Sequence, residues 1–249
     1  MNVLAVIPAR YSSTRFPGKP LTSIAGKPMI ERVWERARSA SLVSKVVVAT
    51  DDERIANAVK SFGAEAVMTR ADHRSGTERV AEVAIAHPEA EIVINVQGDM
   101  PLIEPAAIDA AIEAVSADEE VRVGTLAVPI TSPTDIMDPN VVKTVLDFDG
   151  NALYFSRAPI PWVRDRQDSV HANFLKHLGL YVFRREALLE FATFPQGDLE
   201  RIEQLEQLRW LENGYRIRVA ETEYKTVEVD TPEDVKRVEQ LLAGAAGAR

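Results

Sequence analysis

The feature that most constrains the fold is an alternation, along the first half of the chain, of short apolar runs and longer segments with helical periodicity. Val3–Ile7 and Val46–Ala49 are brief and rich in β-branched residues, as in strands buried on both faces. Between them Ile30, Val33, Trp34 and Ala37 recur at i, i+3, i+4, i+7, one stripe of a helix. Ile55, Ala58, Val59 and Phe62 repeat the pattern and stop at Gly63. Val67 and Met68 suggest a short strand. Ser75-Gly-Thr-Glu78 has the spacing of a capping box and opens a helix through Val80, Val83 and Ala84. Ile92–Val96 reads as a further buried strand, and Pro105 starts a helix with Ile108, Ala111, Ile112 and Val115 on one face. This β-α-β-α rhythm predicts an α/β fold, a doubly wound and mostly parallel sheet with helices on both faces. Ligands of such sheets bind beyond the carboxyl ends of the strands, which singles out Pro8–Lys19, Thr50–Asp52 and Gln97–Asp99.

The second half is less regular. Strands are expected at Val121–Ile130, Val141–Leu146, His177–Phe183, Arg216–Ala220 and Lys225–Val229. Ile202, Leu205, Leu208 and Leu211 suggest one helix ending at Gly214, and Thr231-Pro232 starts a last helix through Val235, Val238, Leu241 and Leu242. No repeat or low-complexity linker divides the chain. The expectation is one domain over residues 1–249, with a smaller β-rich lobe over about 121–190 and a frayed tail at 243–249.

Composition narrows the function. The chain has no cysteine, which excludes a disulfide scaffold, a cysteine nucleophile and a thiolate zinc site. A net charge of −9 argues against a nucleic-acid binder. No apolar run approaches membrane-spanning length, and Val3–Ile7 is too short for a secretory signal, so a soluble cytoplasmic protein is expected.

Against that acidic background, Pro8–Lys19 gathers Arg10, Arg15 and Lys19 with Ser12, Ser13, Thr14 and Gly18 directly after the first strand. A cationic loop at a strand's carboxyl end suits a polyphosphate, met by backbone N–H groups and by Arg and Lys. Neither G-x-x-x-x-G-K-[ST] nor G-x-G-x-x-G occurs, which speaks against a P-loop ATPase or an NAD enzyme. Asp99 follows a buried strand and a glycine, where a carboxylate projects into the crevice and can share Mg²⁺ with phosphate oxygens. Asp230, one residue before a helix cap, offers a second carboxylate or serves the helix start itself. Gln97 can donate and accept, as cytosine requires. Arg74, Ser75, Gly76 and Arg79 surround a helix start whose free N–H groups could receive a nucleotide edge, although capping alone accounts for Ser75 and Glu78. Thr50 and Asp51 close the second strand. His73, His87 and His171 share no metal-ligand spacing and receive no role.

Nine segments in order carry a resemblance: IPARYSSTRFPGKPL, GKPMIERV, VATDDERI, MTRADHRSGTERVAEV, INVQGDMPLI, ALYFSRAPIPW, KHLGLY, LEQLRWLENG and EVDTPEDV. From Val3 to about Leu242 the chain resembles the 3-deoxy-manno-octulosonate (Kdo) cytidylyltransferase family. The resemblance implies a nucleotidyltransferase fold with a smaller dimerisation lobe. It implies a Mg²⁺-dependent reaction, CTP + Kdo → CMP-Kdo + pyrophosphate, in lipopolysaccharide biosynthesis. It carries Asp99 and Asp230 over as metal ligands, Arg10, Arg15 and Lys19 as triphosphate residues, and Ala9, Thr50, Asp51, Arg74, Ser75, Gly76, Arg79 and Gln97 as nucleotide contacts. Arg157, His177, Tyr181, Glu206 and Gln207 are the matching sugar-acid positions, and a homodimer is implied. The chain departs from the pattern at Met100, where an acidic or amide residue is more usual, and in Glu223–Val229, which lacks a glycine-rich approach to V-D-T-P-E-D. An altered contact beside Asp99 is therefore expected. Alternative readings are a cytidylyltransferase for 8-amino-8-deoxy-Kdo or another sugar acid, a metal-dependent glycosyltransferase (here without the D-x-D pair), and a non-catalytic nucleotide-binding regulator.

Overall fold

The computed structural model describes residues 1–12, 16–165, 173–224 and 227–246. The chain forms two compact units, Met1–Asp109 with the C-terminal segment from Lys225, and Ala110–Tyr224.

In the first unit, β1 (Val3–Ala9) is followed by a 3-10 turn at Lys19–Leu21 and a small hairpin, β2 (Ser23–Ile24) and β3 (Lys27–Pro28). Then come α1 (Met29–Arg38), β4 (Lys45–Thr50), α2 (Glu53–Ser61), β5 (Glu65–Met68), α3 (Gly76–Ile85), β6 (Ile92–Asn95) and α4 (Pro105–Ser116), which runs into the second unit. The C-terminal helix of this unit spans Pro232–Ala246. β1 pairs in parallel with β4 and β6, and β4 with β5, giving the order β6-β1-β4-β5.

Every residue of Val3–Ile7 is at most 2% exposed, so both faces of β1 are covered. Fully burying each of its larger aliphatic side chains contributes about 1.5–3 kcal/mol. Ile7 lies with Ile30 of α1 beside Gly98, whereas Pro8 lies against Gly76 of α3. Adjacent strand residues face opposite ways, so α1 and α3 cover opposite faces, as a doubly wound sheet requires. The chain moves from β1 to β4 and β5 on one side, then returns to β6 on the other. That reversal opens a crevice beyond the carboxyl ends of β1 and β6.

In the second unit, β7 (Val123–Pro129), α5 (Pro133–Met137), β8 (Lys143–Leu146) and β9 (Ala152–Ser156) precede β10 (Leu175–Arg184). They are followed by α6 (Arg185–Phe191), α7 (Asp198–Glu203), α8 (Leu208–Glu212) and β11 (Ile217–Glu221), so the C-terminal helix is α9. β7 pairs in parallel with β11 and antiparallel with β10; β10 pairs with β8, and β8 with β9, both antiparallel. Trp210 stacks on Phe191 and Phe183, with centroids 4.6 and 5.4 Å away.

Two sequence expectations are corrected. The single helix over Ile202–Leu211 is two short helices, α7 and α8, separated at Gln204, whose φ of 53° is left-handed. Its apolar residues recur every third position, and each step of three falls about 60° short of a full turn on a 3.6-residue helix. A continuous helix would therefore carry Ile202 and Leu211 on opposite faces. The strand over Lys225–Val229 is also absent among its described residues, Val227–Val229. Val229 is buried with Ile24, Met29, Val235 and Val238, and its N–H donates to the Asp99 carbonyl at 2.9 Å. Apolar burial, not a sheet ladder, accounts for its valines.

Candidate active site

The loop after β1 is shaped by Gly18. Its φ of +72° favours glycine, and its N–H donates to the Tyr11 carbonyl at 2.9 Å. A Cβ there would stand 3.2 Å from the Tyr11 ring. The Arg54 guanidinium covers that ring at 3.3 Å from its centroid and is held in turn by the Asp52 carboxylate, through Nε at 2.9 Å and Nη2 at 2.6 Å. Lys19 therefore leaves a braced turn. Its Nζ lies 2.8 Å from Asp99 Oδ2 and 3.4 Å from Asp230 Oδ1.

Asp99 is placed by β6 and by Gly98. A Cβ on Gly98 would approach the Pro8 carbonyl oxygen to 3.1 Å, so glycine lets the loop after β6 close on the end of β1. Gly98→Ala is accordingly expected to lower the unfolding free energy by about 1–2 kcal/mol, read by urea denaturation. Asp230 arrives from the far end of the chain, fixed by the Val229–Asp99 backbone bond. Its carboxylate is not the cap of α9. Asp234 accepts the N–H groups of Asp230 and Thr231 at 3.0 and 2.8 Å, and Thr231 Oγ1 accepts the Asp234 N–H. Two carboxylates 131 positions apart thus share one ammonium and one cleft.

The same cleft is lined by Ala9 and the exposed Arg10, and towards α3 by Ser75, Gly76, Arg79 and Gln97. Ser75 is the N-cap, its hydroxyl accepting the Glu78 N–H at 3.2 Å. Gly76 abuts Pro8, with 3.4 Å between a built Cβ and the ring. Arg79 is 4% exposed, paired with Asp51 at 3.2 Å and bonded to Thr69 Oγ1.

The cleft lining does not include Thr50, Asp51 or Arg74. Thr50 is fully buried and caps the end of β4, its hydroxyl accepting the Asp52 N–H at 3.2 Å. Asp51 is paired with Arg79 at 3.2 Å, and the exposed Arg74 side chain pairs with Glu78 at 2.6 Å. Arg15 lies outside the described residues. Met100, expected to alter a contact beside Asp99, is 1% exposed and belongs to the core.

His73, given no role by its spacing, lines the cleft and bonds through Nε2 to Glu82. The signal was its position two residues before the Ser75 cap, which places it at the α3 end of the crevice.

The five sugar-acid candidates belong to the second unit. Arg157 spends its guanidinium on the carbonyls of Glu203, Pro139 and Gln204 at 2.8, 2.9 and 3.3 Å. His177 is buried, with Nε2 2.9 Å from Thr125 Oγ1 and its ring packed between Phe155 and Tyr181. Tyr181 is 7% exposed and stacks on Phe183. Glu206 is half-buried, and Gln207, at the start of α8, is buried with its Nε2 unpaired.

Burial pushes His177 down to about 3 from an ordinary 6.5. Between those values the unfolded chain binds a proton that the folded one does not, so stability falls as pH drops through 6.5. The loss is about 1.4 kcal/mol per pH unit from this group. Denaturation of wild type and His177→Gln at pH 7 and pH 5 checks it: the variant should lose less stability over that interval, and parallel losses would contradict the assignment.

Comparison with known proteins places these observations. The Cytidylyltransferase family profile matches residues 4–218. The chain is 59% identical to a 3-deoxy-manno-octulosonate cytidylyltransferase of Solibacter usitatus, over 97% of this chain and 94% of the relative. It is 54% identical to one from Geobacter sulfurreducens, over 97% of this chain and all of the relative. Among solved structures, a CMP:2-keto-3-deoxy-manno-octonic acid synthetase complexed with CTP superposes with a TM-score of 0.93 at 43% identity, covering 98% of this chain and 100% of that one. A 4-diphosphocytidyl-2C-methyl-D-erythritol synthase from Anaerococcus prevotii, 13% identical with a TM-score of 0.63, shares the fold.

Proposed function

The chain belongs to the 3-deoxy-manno-octulosonate cytidylyltransferase family, and from that membership we infer that it transfers CMP from CTP to the anomeric 2-hydroxyl of Kdo, releasing pyrophosphate. The observation that carries the assignment of the cleft is Lys19 held between Asp99 and Asp230 at the sheet's reversal point.

The Kdo 2-hydroxyl oxygen forms a bond to the α-phosphorus, the bond to the β-bridging oxygen breaks, and the hydroxyl proton leaves to solvent. No protein nucleophile is needed, so the chain's work is positioning and charge neutralisation. Arg10 and Lys19 face the triphosphate and stabilise the departing pyrophosphate. Arg15, from the same sequence loop, joins them in this reading. Ala9, Ser75, Gly76, Arg79 and Gln97 bound the nucleoside, with Thr50 and Asp51 behind Arg79 and Arg74 outside the cleft. Asp99 and Asp230 would hold Mg²⁺, a hard cation that binds through few carboxylates where phosphates are also present. Among the described residues no group of three acids or histidines competes as a metal cage. When bound, the ion supplies neutralising charge at the α-phosphate and acidifies the attacking hydroxyl.

Tyr181, Glu206 and Gln207 are the sugar-acid contacts of this reading. Gln207 carries a buried unpaired amide that a hydroxyl or carboxylate could satisfy. Arg157 and His177, given the partners they already hold, are positioning residues in this reading. The reading extends to a cytoplasmic homodimer supplying lipopolysaccharide synthesis. Among the described residues, no helix is long and apolar enough to cross a membrane.

Incubation with Mg²⁺, CTP and Kdo, followed by pyrophosphate and product analysis, tests the reaction. CMP-Kdo should form, EDTA should abolish it, and 8-amino-8-deoxy-Kdo should be a poorer acceptor. Absence of pyrophosphate release would overturn the reading.

A further inference from the structure

We propose that His73 selects the nucleobase: anchored by Glu82 through Nε2, it presents Nδ1 to the nucleoside end of the cleft, where it accepts from the exocyclic amine of cytosine and refuses the carbonyl of uracil. The proposal rests on the cytidylyl-transfer reading for the identity of the ligand.

The His73 side chain is only 5% exposed, yet it lines the cleft. A polar ring so buried is there by construction, since leaving it unpaired is costly. Among the described residues its hydrogen-bond partner is Glu82. Burial alone would push the Glu82 carboxyl up. Hydrogen bonds from His73 and from the Arg70 N–H, the latter at 3.2 Å, outweigh this and hold it below the usual carboxylate range. Glu82 is therefore an anion that can only accept, so Nε2 carries the hydrogen. In the neutral ring Nδ1 is then a lone pair, and the carboxylate fixes the tautomer.

The cleft has two chemical ends. Lys19, Asp99, Asp230 and Arg10 make a charged end fitted to phosphates. His73, Ser75, Gly76 and Gln97 lie towards α3 with Arg79, whose charge is already paired with Asp51, so this end is fitted to a base. A lone pair at that end distinguishes an amine from a carbonyl at the same ring position. Oxygen facing nitrogen would leave both acceptors unsatisfied.

The test compares CTP with UTP, as kcat/KM with Kdo and as Kd without it, in wild type, His73→Gln and His73→Asn. Glutamine places its amide near the Nε2 position and can still reach Glu82, but has nothing at Nδ1. Asparagine places an amide oxygen near Nδ1. The CTP preference should fall about 10–100-fold in His73→Gln, and stay within about threefold of wild type in His73→Asn. Equal losses for both nucleotides would overturn the proposal and make His73 a scaffold residue. Loss of preference in both variants would equally overturn the assignment of Nδ1. If wild type binds CTP in preference to UTP but makes no CMP-Kdo, the transfer reading fails while the base-selection test still stands on Kd.

Discussion

Asp99→Asn is expected to lower kcat for CMP-Kdo formation by on the order of 10²–10³, as loss of one charge-stabilising group does. The substitution keeps the shape and removes the charge. Among the described residues, it leaves Lys19, now 2.8 Å from a neutral amide, with the longer 3.4 Å ion pair to Asp230. The ammonium should swing towards Asp230, leaving the cleft short of an anion and its cation displaced. Kinetics of pyrophosphate release should show the loss in kcat together with a higher Mg²⁺ requirement. The double variant with Asp230→Asn should cost much less than the product of the single effects, because the proposed function gives both carboxylates one ion to hold. Near-normal turnover in Asp99→Asn would remove the acid pair from the mechanism.

The second large effect concerns stability. Arg209 meets Glu200 through two hydrogen bonds, Nε to Oε2 at 2.6 Å and Nη2 to Oε1 at 2.5 Å, with side chains 3% and 7% exposed. Its guanidinium also lies 4.5 Å from the Phe191 ring centroid. Glu200→Ala strands a buried guanidinium and should cost about 3–5 kcal/mol in urea unfolding. The pair bridges α7 and α8 across the segment that carries Glu206 and Gln207, so KM for Kdo should rise more than KM for CTP. An unchanged unfolding midpoint would mean that solvent reaches Arg209 when the carboxylate is gone.

The first unit was largely legible because both of its signals are local. Buried parallel strands read as β-branched runs, and amphipathic helices as stripes, so β1, β4, β6 and α1 to α4 follow directly. The cationic loop and Asp99 were legible because strand ends in such sheets face ligands. The departures have different causes. The break between α7 and α8 follows the three-residue spacing of the apolar positions, which one helix cannot keep on a single face. Val227 and Val229 alternate like a strand, yet their neighbours are Ile24 and Met29. The backbone carbonyls that hold the Arg157 guanidinium are invisible in a sequence. His73 was passed over because it has no histidine partner, and its partner Glu82 sits nine residues on.

The Val229–Asp99 hydrogen bond has a consequence for how the protein comes into being. Asp99 is made 131 residues before Asp230, and the two are stitched by main-chain atoms that no side-chain change except proline can delete. A nascent chain can complete the parallel sheet and still be inert. The segment that carries Asp230 must return to the place where the first strand ended before the two acids share a cleft.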